Sequence, residues 1–421
     1  MKKNRKRILA LPGIFFPHNE TITQISYKIL CNLDCDVDVL VFNSSSDKYF
    51  EEYIKNDEKF KKFRLIYIDY DYNNLTINSK NFNIFKIKKY IKKYINKAIE
   101  LSKINSYDYI FSFSVPNYTH YAAYKIKKNL GNRIKWYASF SDPICNNLYI
   151  DDFKKNGFKG KVLYYLLVMS HYNKKYEINT LKYSDKLIFI SKELRNFVTK
   201  ENKKYINKSI IYPITYVKDW VNYKKLTTIN NNKVSNDKII FSHFGNIYGL
   251  RKIYKFVDAI NILINEDKSL VNKIEIHQYG DVDKKQTEYI NKLNNIFFIH
   301  KKVNYDKCIE LMKKTQILLI FDTIVDSDEI QPFLPSKITD YLLTNKPIFA
   351  ITSKKSPLYD IINLNHICVT YNTEKIKEAI LKQLYNINKK INNNISQYDN
   401  DYVSKKIFGN EFDIIDLEEE K

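Results

Sequence analysis

Short runs of β-branched and aromatic residues alternate along this chain with longer stretches whose apolar positions recur every three to four residues. The short runs read as strands: Arg7–Leu11, Val37–Phe42, Leu65–Ile68, Tyr109–Phe113, Ile134–Ala138, Leu187–Ile190 and Ser209–Tyr212. A second series follows at Lys238–Phe241, Ile274–Tyr279, Ile296–Ile299, Ile317–Phe321, Pro347–Ile351 and His366–Val369. Strands separated by helical patterns imply parallel sheets with crossover helices, so the two series predict two doubly wound α/β domains. The stretch "TTINNNKVSNDK" between them is polar and has no period, as a linker would. The expected division is a first domain over 1–226, a linker at 227–237, a second domain over 238–395 and a tail over 396–421. No solenoid-type repeat appears.

Ligands of open parallel sheets bind beyond the carboxyl ends of the strands. The chain has only eight glycines, and Gly13, Gly245, Gly249 and Gly280 all fall just after predicted strands. In "FSHFGNIYGLRK" (241 to 252) two of them precede Arg251. That placement favours loops that let a backbone approach an anion over generic turns.

Charge adds a second asymmetry. Residues 1–230 carry 42 Lys/Arg against 21 Asp/Glu, whereas residues 231–421 carry 27 against 26, within a net charge of +22. A lysine-rich codon bias would load both halves alike; the excess in the first half points to an anionic partner. Two segments there are basic and amphipathic. "NIFKIKKYIKKYINKAIE" (83 to 100) presents Ile84, Ile87, Ile91, Ile95 and Ala98 as an apolar stripe among lysines. "FKGKVLYYLLVM" (158 to 169) has the composition of a site at an anionic bilayer surface. No run approaches the length of a transmembrane helix, and the basic start lacks a signal peptide's cleavage site. Five cysteines without a CxxC pattern read as reduced thiols of a cytoplasmic protein. No zinc spacing, helix-turn-helix cue or RNP-like motif supports nucleic-acid binding.

Several stretches, in this order and spacing, resemble the retaining family-four glycosyltransferases, in particular a bacterial branch associated with surface polysaccharide assembly. "FGNIYGLRKIYKFVDAI" (244 to 260) is similar to the family's donor-domain glycine loop and first helix. "IEIHQYGD" and "VNYDKCIELMKKTQILLIFD" are similar to its middle strands and helix, and "LPSKITDYLLTNKPIFAI" (334 to 351) to its donor-site segment. In the first half, "SDKLIFISKEL" (184 to 194) and "SFSDP" (139 to 143) resemble the close of the acceptor domain and its catalytic-side loop. The resemblance implies a GT-B fold, two doubly wound Rossmann-like domains facing across a cleft. It further implies transfer of a sugar from a nucleotide diphosphate sugar, UDP- or GDP-linked, to a lipid-linked or oligosaccharide acceptor, with retention and without a metal or other cofactor. The enzyme would be cytoplasmic, attached to the inner face of the membrane through its basic first half.

A departing diphosphate needs positioned cations and N–H groups. The resemblance assigns these to Gly245, Asn246, Gly249 and Arg251, with Gly280 on the next loop and Ser336 and Lys337 opening a second helix. Asp340 would bind the ribose hydroxyls. Asp142, beside Ser141, would handle the acceptor hydroxyl proton, with His18 as a further acceptor-side candidate. Where the family has two glutamates separated by seven residues, this chain has Pro332 and Asp340, and Glu329 stands three residues before Pro332. Ser141 occupies the place of the family's acceptor-side histidine, and Asn246 that of its first glycine-loop cation. His120 reads as a surface or core histidine. Alternatives are a catalytically silent GT-B scaffold, a polyanion-binding protein and a GT-B sugar-nucleotide epimerase. A metal-dependent GT-A enzyme would need an Asp-x-Asp pair such as Asp36/Asp38, Asp281/Asp283 or Asp326/Asp328, none of which comes with further ligands.

Overall fold

The computed structural model describes residues 5–16, 20–43, 57–71, 84–149, 171–218, 225–227, 238–293, 295–362, 366–387, 391, 393 and 395–415. The chain divides into two compact units, one of residues 1–215 with 398–421 and one of residues 216–397.

In unit 1, β1 (Lys6–Gly13), α1 (Thr21–Leu30), β2 (Cys35–Asn43), β3 (Phe63–Asp71), α2 (Ile84–Ile104), β4 (Tyr109–Phe113), α3 (Tyr118–Leu130), β5 (Lys135–Phe140), α4 (His171–Tyr183), β6 (Lys186–Phe189), α5 (Lys192–Val198) and β7 (Ser209–Ile211) follow in order. Unit 2 runs through β8 (Ile239–Phe244), α6 (Tyr254–Glu266), β9 (Ile274–Tyr279), α7 (Lys284–Ile290), β10 (Phe297–His300), α8 (Tyr305–Lys314), β11 (Ile317–Phe321), α9 (Lys337–Leu343), β12 (Ile348–Ile351), α10 (Pro357–Ile362), β13 (Ile367–Val369) and α11 (Thr373–Tyr385). Helix α12 (Asn400–Phe408) returns to unit 1. Among the described residues all thirteen strands fall where the apolar runs place them. Their ends differ: β8 continues three residues further, to Phe244, and β2 begins at Cys35.

Both sheets are wholly parallel, β3-β2-β1-β4-β5-β6-β7 in unit 1 and β10-β9-β8-β11-β12-β13 in unit 2. Central strands covered on two faces must be apolar throughout, and every residue of β4 and of β11 is buried. The order reverses between β1 and β4 in the first sheet and between β8 and β11 in the second. Those switch points are where such sheets open to a ligand.

The faces of sheet 1 are covered differently. Tyr109 and Phe111 pack against Phe412 and Phe408, the latter on α12. Ser112, pointing the other way, meets His120 of α3 at 2.7 Å and the Trp136 indole at 2.7 Å. His120 is thus a core residue, and burial pushes its imidazole down to about 3. Among the described side chains of α2 the buried ones are Tyr94, Ala98, Leu101 and Ser102, whereas Ile91 and Ile95 of the expected stripe are only half-buried. The Tyr94 hydroxyl donates to the Leu40 carbonyl at 3.0 Å, which turns the helix onto its aromatic side. The side chains of Ile84 and Ile87, the segment 158–169 and all of the linker after Thr227 lie outside the described residues.

Helix α12 is stitched in by Asn400. Its Oδ1 accepts from the Tyr212 hydroxyl at 2.8 Å and from Thr215 Oγ1 at 2.6 Å, and its Nδ2 donates to the Lys28 carbonyl at 3.0 Å. All three bonds are buried; without the amide Thr215 Oγ1 loses its acceptor, while the Tyr212 hydroxyl keeps the Lys28 carbonyl at 2.9 Å. Asn400→Ala is expected to destabilise unit 1 by about 2–3 kcal/mol, read as an earlier denaturant midpoint in its tryptophan signal from Trp136. An unchanged midpoint would contradict that role for α12.

Candidate functional site

At the switch point of unit 2 the chain leaves β8 at Gly245 and β11 at Asp322. The two emerging loops are tied together. Arg251 and Thr323 form an antiparallel bridge, and the Ile324 amide donates to the Leu250 carbonyl at 3.0 Å. Gly245 and Gly280 hold φ of 137° and 132°, a region nearly closed to other residues. A Cβ on Gly245 would lie 2.5 Å from Lys337 Nζ, and one on Gly280 would lie 2.7 Å from the Gly245 carbonyl oxygen. The glycines therefore make room for one another and for an ammonium group.

Lys337 is placed by helix α9. The Tyr341 hydroxyl accepts from the Phe244 amide at 3.2 Å and docks the helix on the end of β8; Lys337, four residues earlier, shares that face. Its Nζ donates to His243 Nε2 at 2.7 Å. His243 Nδ1–H then donates to Gln278 Oε1 at 3.0 Å, and Gln278 Nε2 donates to the Gly245 carbonyl at 2.6 Å. Burial, reinforced by the Lys337 and Arg251 charges, holds His243 far below its ordinary range. It stays neutral and can accept from the lysine.

Arg251 is the second cation. Its Nη1 donates to the Asn246 carbonyl at 3.2 Å and its guanidinium lies 5.4 Å from the Tyr248 ring centre. Its Nε is buried without a hydrogen-bond partner. Among the described residues neither Arg251 nor Lys337 forms an ion pair with a carboxylate. Burial, with the Arg251 charge added, holds the Lys337 ammonium well below the usual lysine range. A cation pair of this kind, half stripped of water and with no carboxylate in direct contact, is arranged for an anionic ligand.

Asp322, which the sequence reading passed over, lies beneath them. It accepts from Thr352 Oγ1 at 2.6 Å, Gln331 Nε2 at 2.7 Å and the Thr323 amide at 2.8 Å. Burial raises its carboxyl to about 6 against the pull of those donors and of Arg251. It ties the loop after β11 to the loop after β12 rather than binding a ligand. His243 and Gln278 were passed over too and carry no distinct sequence signal: each is a polar residue two positions before a glycine, but β8 also holds Ser242 and β9 also holds Glu275 and His277.

The remaining assignments fare unevenly. Asn246 Oδ1 accepts from the Asp281 amide at 3.0 Å and so anchors the loop after β9. Gly249 has φ 58°. Ser336 is exposed at the N-cap of α9 and Asp340 is half-buried near Cys308 and Tyr341. One expectation needs correction. Helix α6 starts at Tyr254, nine residues after Gly245, and the Gly245 and Ile247 amides are spent on the Tyr279 and Asp281 carbonyls at 2.8 and 2.9 Å. Gly245 thus serves the site by admitting Lys337, and its own N–H is not presented at a helix terminus. Pro332 is buried and Glu329 exposed, with the Glu329 amide tied to the Asp326 carbonyl at 3.0 Å.

In unit 1 the switch point gathers Gly13, Ser114 and Asp142. A Cβ on Gly13, at φ 79°, would lie 2.7 Å from the Pro116 ring. Ser114 Oγ accepts from the Ser141 amide at 3.1 Å, and Ser141 Oγ donates to Asp142 Oδ2 at 2.9 Å. Helix α4 secures the loop from behind: Glu177 accepts from the Cys145 amide at 3.0 Å and Asn173 Nδ2 donates to the Ile144 carbonyl at 3.2 Å. Burial pushes the Glu177 carboxyl up to about 7. His18 lies outside the described residues. Of the Asp-x-Asp strings, Asp38 is clamped by Arg64 at 2.7 and 2.6 Å, and Asp283 caps α7. Among the described residues no three His, Cys, Asp or Glu side chains come together to hold a metal ion.

No family model and no curated protein matches the sequence. Solved structures resemble nearly the whole chain at low identity. A glycosyltransferase from Rickettsia africae is 16% identical over 97% of this chain and 94% of that one, with a TM-score of 0.56. The apo form of the lipopolysaccharide outer core galactosyltransferase WaaB is 14% identical over 96% and 98%, at 0.56. An E. coli trehalose-6-phosphate protein bound with UDP-2-fluoro glucose is 10% identical over 97% and 100%, at 0.65. What this chain shares with them is the GT-B fold.

The cation pair has a pH signature. A lysine whose ammonium is disfavoured in the free protein releases its proton early; a bound pyrophosphate restores the charged form. Binding of inorganic pyrophosphate at mildly alkaline pH should therefore take up protons and weaken as pH rises. Calorimetry in Tris and in HEPES reads the uptake as buffer-dependent heat, which Lys337→Arg should abolish. Identical heats for the parent protein would contradict the arrangement.

Proposed function

We propose that this protein is a glycosyltransferase that moves a sugar from a nucleoside diphosphate sugar to a lipid-linked or glycan acceptor in bacterial surface polysaccharide synthesis. The observation that carries the reading is the buried, unpartnered Arg251 Nε beside Lys337 at the switch point of a Rossmann-like sheet. In this reading Arg251 and Lys337 take the charge that grows on the departing diphosphate, and Asp340 binds the ribose. Uridine is the proposed base, since the E. coli neighbour is bound with UDP-2-fluoro glucose. The polysaccharide setting follows the lipopolysaccharide galactosyltransferase among the neighbours. On unit 1, Asp142, with Ser141 donating to it, is the group proposed to orient and accept the acceptor hydroxyl proton. Retention, independence from metal, and His18 as an acceptor-side residue are carried by the family resemblance. Association with the inner face of the membrane is proposed from the charge of the first half; among the described residues no helix is long and apolar enough to cross a membrane. Pro332, where the family has an acid, favours one rival, a GT-B protein that binds the sugar nucleotide without transferring it.

Thermal unfolding with UDP, GDP, CMP and their sugar conjugates tests the donor site. At a hundredfold excess over Kd the fitting nucleotide should stabilise by about 2.7 kcal/mol, a rise of several degrees, and Arg251→Ala should remove the rise. No shift with any nucleotide contradicts the proposal. Release of UDP from a sugar conjugate, lost in Asp142→Asn with the thermal shift intact, separates the enzyme from its silent rival; a shift without release favours the rival.

A further inference from the structure

The positive charge of unit 1 is not spread evenly over its two faces. Helices α2, α3 and α4 carry seven, three and three lysines, and their only acids are Glu100 and Glu177. That excess of eleven is half of the +22 of the entire chain. Helices α1 and α12, which meet through Asn400 and Lys28, carry Lys28 alone and Lys405 and Lys406 against Asp401. Chain-wide lysine bias would not sort charge by helix layer in this way.

The three helices form one layer. The Tyr94 ring of α2 lies 5.2 Å from that of Tyr118 on α3, and Tyr121 of α3 stacks on Tyr176 of α4 at 4.5 Å. Lys88, Lys89 and Lys92 on α2, Lys128 on α3 and Lys174 and Lys175 on α4 are all exposed. Neither acid offsets them freely: Glu100 is paired with Lys97 at 2.6 Å, and Glu177 turns inward to the Cys145 amide.

Between the lysines runs a band of partly exposed tyrosines. Tyr121 and Tyr124 are 6.2 Å apart, and Tyr124 and Tyr183 are 5.2 Å apart. Tyr183 is 39% and neighbouring Ile178 42% exposed. Lysine ammonium groups around amphipathic rings suit the boundary between lipid headgroups and acyl chains. The arginine forks that bind phosphates and bases bidentately on nucleic acid are missing here, since α2, α3 and α4 contain no arginine.

We propose that the α2–α3–α4 face of unit 1 docks on an anionic lipid bilayer, its exposed lysines meeting the headgroups and its tyrosine band resting at the interface. This rests on the membrane part of the functional reading and is independent of the donor site. Docking through lysines is salt-sensitive and additive, with each lysine near the surface contributing roughly fivefold in partitioning.

Co-sedimentation of the full chain with vesicles of phosphatidylglycerol and phosphatidylcholine tests it, against phosphatidylcholine alone. The chain should pellet with the anionic vesicles only, and release in high salt. Glutamine at Lys88, Lys89, Lys92, Lys128, Lys174 and Lys175 should cut partitioning at least a hundredfold. Glutamine at six exposed lysines of unit 2 (Lys268, Lys284, Lys285, Lys313, Lys314 and Lys375) should change it only a few-fold. Both variants should keep the parent unfolding temperature, which guards against misfolding, and the parent response to UDP, which reads the donor site separately. Equal loss in the two variants, retention by the first, or tighter capture by duplex DNA than by vesicles would each overturn the assignment.

Discussion

Two cations placed side by side with no carboxylate paired directly to either repel each other, and the second unit is built around holding them there. The hydrogen-bond chain from Lys337 through His243 and Gln278 to the Gly245 carbonyl restrains the ammonium. It works only while His243 is neutral, and burial keeps it so. The loop that ends the chain can come close enough only because Gly280 has no side chain. Tyr341 sets the helix, and Asp322 gathers the loops on the far side through Thr352, Gln331 and the Thr323 amide. The strain is placed where an anion would relieve it.

The first unit uses polar side chains for a different end. Ser114, Glu177 and Asn173 fasten the loop that carries Ser141 and Asp142, so the acid is presented by a fixed backbone. Helix α12 completes the covering of one sheet face, which leaves the lysine-rich helices to the other. Structural demands and charge thus fall on opposite sides of a single sheet.

Much of this was legible beforehand. Central parallel strands buried on two faces write themselves as nearly continuous apolar runs, which is why β4 and β11 match their expected bounds to the residue. Lys337 and Arg251 stood out as cations beside rare glycines. What those glycines do was misread, because a tight loop that presents amides and one that admits a side chain have the same sequence. His243 and Gln278 stayed hidden for a related reason. A buried polar residue becomes meaningful only when its partner is known, and Lys337 lies 94 residues from His243. On α2 the isoleucine period was real, but Tyr94 could reach the Leu40 carbonyl and so won the buried face.

Recognition of a diphosphate by the cation pair is the central claim. Equilibrium dissociation constants for uridine, UMP and UDP, measured on the parent chain and on the double substitution Arg251→Ala, Lys337→Ala, address that directly. UDP should bind at least tenfold tighter than UMP, uridine should bind weakest, and the double substitution should bring UDP down to the level of uridine. Equal affinities for uridine and UDP on the parent chain, or a UDP preference that survives loss of both cations, would contradict it.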